Sequence, residues 1–140
     1  MNSFMEGKLN LKEWIKEFIK HKDVFLKTIV DIKDSNEGFN VKYKDKQVKF
    51  IVEKDLVVAI KKLDKKPISI ATLNTLDNFD VLIQNWHKLV SFKDLTIFFI
   101  NPDSMSERKW ILRPHLHDKI ADDDSLKTGL KSLFMSVDKI

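Results

Sequence analysis

The chain has 140 residues, enough for one domain of ordinary size. With 43% hydrophobic residues, ten phenylalanines and three tryptophans against only three glycines, it is neither disordered nor of low complexity. Cysteine is absent, which excludes disulfides, zinc–thiolate centres and thiol catalysis, and the formal charge of +4 is carried almost wholly by lysine.

Only Arg108 and Arg113 are arginines. Lysine is a mobile point charge, so a lysine surface suits non-specific attraction to phosphate better than forked recognition. The stretch Met1–Lys8 has no basic-then-apolar leader pattern, and apolar runs such as Leu95–Ile100 fall far short of a bilayer span. The expectation is a cytoplasmic protein with no membrane partner.

Leu11, Trp14, Ile15, Phe18 and Ile19 recur at helical spacing, and Phe25, Leu26, Ile29 and Val30 extend the stripe. The spacing predicts one long helix from Leu11 to about Lys33, with a break near His21–Asp23 as the alternative and Asn10 as its N-cap. Asp34–Gly38 is turn chemistry. Phe39–Tyr43 and Val48–Glu53 then alternate apolar and polar residues around the polar turn Lys44–Lys46, which predicts a hairpin with one buried face. Leu56–Lys62 opens almost wholly apolar and reads as a third, central strand. Lys61–Pro67 is a polar loop, and the spacing of Leu73, Leu76, Phe79, Leu82, Ile83, Trp86 and Leu89 predicts a helix, Asp77–Val90, that Asp77 starts or bends. Leu95–Asn101 is a doubly buried strand that Lys109–Arg113 pairs with. A last helix carries Leu126, Leu130, Leu133, Phe134 and Val137, capped by Asp122, Asp123 or Asp124, with Gly129 inside it. No repeat or linker divides the chain, so residues 1–140 form a single α/β domain with a mixed sheet of about five strands flanked by helices.

Helix, three strands, helix, strand is an order that resembles the core of the restriction-endonuclease-like, or PD-(D/E)XK, superfamily, over roughly Leu11 to Arg113. That resemblance implies a catalytic lysine near the end of the third strand, matched by Lys61. It also implies an acidic residue on the second strand and an acidic-X-Lys triplet on the third, which together hold a divalent metal ion. Here the triplet positions read Ala59-Ile60-Lys61 or Ile60-Lys61-Lys62, without a carboxylate at the first place. The residues therefore imply a non-catalytic, degenerate member with no metal cofactor.

Such a domain would bind nucleic acid through phosphate contacts at Lys61, Lys62, Lys65, Lys66 and Arg113. One alternative is an interaction module that dimerises or docks through its amphipathic helices. Another is a metal-dependent nuclease with a relocated acidic site, using Glu53 or Asp55 with Lys61. His115 and His117 are the closest pair of metal-ligating side chains; on a strand both would face one side and could share a zinc ion. The competing reading is a loop leading into the last helix. Trp110, in phase with Leu112, is read as core. No phosphate-cradling glycine loop, nucleophile elbow or dinucleotide fingerprint is present.

Overall fold

The computed structural model describes the backbone of residues 3–140, and side chains from residue 10 onward except Asp123. The Met1–Lys8 reading and the choice of Asp123 as a cap lie partly outside these described residues. The elements run α1 (Ser3–Lys22), β1 (Ile29–Asp34), β2 (Gly38–Tyr43), β3 (Gln47–Val52), α2 (Leu56–Ile60), β4 (Ile68–Leu73), α3 (Leu76–Gln84), α4 (Trp86–Val90), β5 (Leu95–Ile100), β6 (Lys109–Leu112), α5 (Pro114–Ile120) and α6 (Asp123–Ser136). The fold is α/β: one mixed sheet of six strands in the order β1-β2-β3-β4-β5-β6, flanked by helices. β3, β4 and β5 are parallel, and the remaining pairings are antiparallel.

Strand alternation sorts the interior into two cores. Ile51, Ile68, Ile70, Ile97 and Phe99 face the helices α2, α3, α4 and α6, which answer with Leu56, Leu82, Leu89, Leu130 and Phe134. Phe39, Val41, Phe50, Val52, Ala71 and Phe98 face the opposite way, under Leu11, Ile15 and Ile19 of α1. Fully burying a side chain of this size is worth roughly 1.5–3 kcal/mol. The apolar faces of α1, α3 and α6 are thus spent on the sheet.

Several expectations are corrected. The first helix ends at Lys22, not Lys33, and Asn10 lies inside it, so it caps nothing. Asp23 accepts from the backbone N–H of Thr28 (3.0 Å) and of Ile29 (2.9 Å), and also from the Thr28 hydroxyl. Lys27 takes a left-handed conformation (φ 51°) to close this turn. The chain then reverses into β1, an edge strand with a register shift between Ile29 and Asp31, and Val24, Phe25 and Leu26 are left exposed.

Leu56–Ile60 is a helix, not a strand. Leu56, Ala59 and Ile60 are buried while Val57 and Val58 are exposed, the pattern of a single helical turn. The central strand is instead β4, Ile68–Leu73, which follows directly on the loop Lys61–Pro67. The helix over Asp77–Val90 is two helices broken at Asn85, whose side-chain amide donates to the Val81 carbonyl at 2.8 Å. Its N-cap is Thr75, which accepts from the Asn78 N–H at 3.0 Å, while Asp77 sits in the first turn. The hairpin β2–β3, the pairing of β5 with β6, and a helix capped by Asp122 stand where the sequence placed them.

Candidate functional site

The lysines expected to form one phosphate-binding group are divided. Lys61 is the exposed C-cap of α2. It does not end a strand, and this removes the premise on which it was matched to a catalytic lysine. Lys62 turns inward and donates to the buried carboxylate of Glu53 at 2.8 Å. Lys65 and Lys66 are exposed in the turn that leads to Pro67, where the Lys66 N–H donates to Asp64 at 2.9 Å.

His115 and His117 lie on α5, not on a strand. Residues two apart on a helix point to nearly opposite sides, so the rings diverge. His115 Nδ1 meets the Val90 carbonyl at 2.9 Å and His117 Nδ1 meets that of Arg113 at 3.0 Å. Asp118, the carboxylate next to His117, accepts from the Trp86 indole N–H at 2.9 Å. Among the described residues no group of three or more histidine, aspartate or glutamate side chains is placed to hold a metal ion, and no helix is long and apolar enough to cross a membrane.

In parallel sheets ligands usually sit beyond the carboxyl ends of the strands, at a reversal of strand order. Neither condition is met. The order has no reversal, and the carboxyl ends of β4 and β5 are plugged by buried asparagines that clamp the end of α6 and the segment after it. The Asn74 amide donates to Phe134 (3.2 Å) and Val137 (3.1 Å) carbonyls, and its oxygen accepts from the Trp110 indole at 2.8 Å. Asn101 holds the Asp138 carbonyl at 2.9 Å. Trp110 is core, as expected, and stacks on Phe99 with ring centroids 4.3 Å apart.

The opposite end of the sheet is open. The short reach of α1 leaves the starts of β3, β4 and β5 uncovered, and a cleft of about 560 Å³ lies there between the end of α1, the turn after it and the β2–β3 turn. This volume falls within the roughly 300–1,000 Å³ typical of small-ligand sites. Phe18, Phe50 and Phe98 form its apolar wall; Ser69 and Thr96, direct neighbours across β4 and β5, form its floor. Lys22, Lys46 and Arg113 supply positive charge, balanced by Asp23, Asp45 and Asp94.

Asp23 is committed to its own turn. The hydrogen bond from the Thr28 hydroxyl, then that from the Ile29 N–H, holds its carboxyl below the ordinary aspartate range. Tyr43, half-buried on the cleft wall, is pushed the other way, first by burial and then by the charge of Asp23. Its phenol therefore stays protonated at neutral pH and keeps a donor. Lys46 lies over its ring at 5.6 Å.

Of the residues expected to contact phosphate, Arg113 lines the cleft, and Lys65 and Lys66 directly precede its wall residue Pro67. Lys61 and Lys62 are not among its lining residues. Lys22, Tyr43, Lys46, Ser69 and Thr96 were not anticipated. The hydroxyls left a trace in sequence, as polar breaks in Ile68–Leu73 and Leu95–Ile100, two otherwise apolar strands. Comparison with known proteins returns no match: no family model fits the chain, and no curated protein or solved structure is significantly similar to it.

Proposed function

We propose that this chain is a non-catalytic nucleic-acid-binding domain and a degenerate relative of the restriction-endonuclease-like superfamily. The order helix, three strands, helix, strand supports the kinship, with Ile29–Asp34, Gly38–Tyr43 and Gln47–Val52 as the three strands. The observation that carries the function is the cleft at the amino-terminal end of the parallel strands. It is walled by Lys22, Lys46 and Arg113 against Asp23, Asp45 and Asp94, and Lys65 and Lys66 at its edge tip the balance to positive. Cationic side chains over an aromatic wall suit a strand whose phosphates run along the rim while bases meet apolar surface.

Lysine and arginine binding of this kind depends on salt, because neutralised phosphates release counterions. Three phosphate contacts give a loss of roughly 20- to 40-fold in affinity between 50 and 200 mM salt. Fluorescence anisotropy with labelled single-stranded and duplex oligonucleotides measures it, and Arg113→Gln should lower the salt slope by about one contact. Absence of binding to any oligonucleotide at 50 mM salt refutes the proposal. In the same samples magnesium should leave the strands intact. Cleavage that disappears in Lys62→Ala would reverse the non-catalytic assignment and point to Glu53.

A further inference from the structure

Ser69 and Thr96 are paired side by side in the register of β4 and β5, and both line the cleft. Ser69 is only 6% exposed. Neither hydroxyl is hydrogen-bonded to another described residue. The buried asparagines at the other end of the sheet are fully engaged by contrast: Asn74, Asn78 and Asn101 each hold backbone groups from two or more places. A hydroxyl that opens into a cleft from an otherwise buried side chain, without a protein partner, is a group left for something that enters. Each hydroxyl both donates and accepts, so two adjacent ones match the mixed donor and acceptor edge of a flat heterocycle.

We infer that the cleft takes an unpaired nucleobase, with Ser69 and Thr96 bonding its edge while Lys22, Lys46 and Arg113 hold the flanking phosphates. This inference rests on the nucleic-acid reading above and names its substrate class as single-stranded. A base inside a duplex has its pairing edge occupied and its faces stacked, so it cannot reach a recessed floor without being unstacked. The adjoining turn adds a second surface for an unpaired strand. Phe25, next to the wall residue Leu26, is 94% exposed, and a neighbouring base can stack on its free ring.

The test compares a single-stranded oligonucleotide with a duplex of equal length, using the wild type and the double substitution Ser69→Ala/Thr96→Val, which removes the hydroxyls at nearly constant volume. Wild type should prefer the single strand by tenfold or more. The double variant should lose about five- to tenfold on the single strand, as for two neutral hydrogen bonds. Its salt slope should be unchanged, because no charge has been removed. Duplex bound as tightly as single strand, or full affinity in the variant, overturns the inference and leaves nucleic-acid binding standing. No binding to either form overturns both. If the double variant fails to fold by circular dichroism, the isosteric Thr96→Val alone carries the comparison, with an expected loss of about two- to fourfold.

Discussion

Single side chains fix the geometry of this molecule where the backbone alone does not. Asn78 is the clearest case. Its oxygen accepts from the Leu56 N–H at 2.9 Å, and its amide faces the Lys54 carbonyl (2.9 Å), the Leu73 carbonyl (2.8 Å) and the Thr72 hydroxyl (3.2 Å). An amide has two hydrogens for these three acceptors, so one is shared. A residue 22 positions away in sequence thus supplies the cap that Asp55 does not give to α2. Asp23 does comparable work at the turn after α1, and here charge matters. Its folded pKa lies below the unfolded value near roughly 4, so the unfolded chain binds more protons in that range. The stability it gives is complete above that value and is lost as pH falls through the folded one. Asp23→Asn should therefore lower the urea midpoint at neutral pH and approach wild type as the pH drops below about 4. Urea titrations of both proteins across the acid limb check this; a difference constant with pH would mean the charge contributes nothing.

Among the elements, two glycines have opposite meanings. A Cβ on Gly38 would stand 2.1 Å from the Phe50 carbonyl oxygen, so β2 enters the sheet only because nothing projects there. Gly38→Ala should cost about 1–3 kcal/mol or more, since backbone and not a flexible side chain must give way. Gly129 has no atom within 4 Å of that position and lies on the exposed side of α6. Gly129→Ala should stabilise by about 0.5–1 kcal/mol through helix propensity alone. Chemical denaturation of the two variants tests the contrast. The legibility of elements follows a similar line. Phe39–Tyr43 and Val48–Val52 could be read because alternation and a polar turn are local. Leu56–Ile60 could not, because five apolar residues are too few for periodicity to separate a helical turn from a buried strand. Ile68–Leu73 escaped because Ser69, Ala71 and Thr72 interrupt the apolar run that made the equally buried Leu95–Ile100 readable as a strand.

On the scale of the whole molecule, two cores share one sheet. The α1 side is built on Leu11, Ile15 and Ile19, and the other on helices α2, α3, α4 and α6. Since β3, β4 and β5 contribute residues to both, loosening either side removes support from the strands that serve the other. Ile15→Ala and Leu82→Ala, both fully buried, should each cost about 2–5 kcal/mol. Each should shift one transition that tryptophan fluorescence and circular dichroism report together. Separate transitions for α1 and the remainder would show that the two layers unfold independently. The same layering locates the cleft: α1 spans only part of its face, and the uncovered starts of the parallel strands become a cavity floor.

The amino-acid order by itself determined the class of fold, the hairpin, the paired strands β5 and β6 and the final helix, because in each the signal is carried by neighbours along the chain. Arg113 was also marked out in sequence, as one of only two arginines. Only the tertiary structure decided that the chain beyond Lys22 turns back into a strand, that Leu56–Ile60 coils, and that Ser69 and Thr96 meet at the base of a cleft. Those outcomes depend on Asp23 closing its turn and on an asparagine reaching across from another helix. They depend also on the register between two strands 27 residues apart. Such contacts are made by atoms remote in sequence, and no periodicity in a local window contains them.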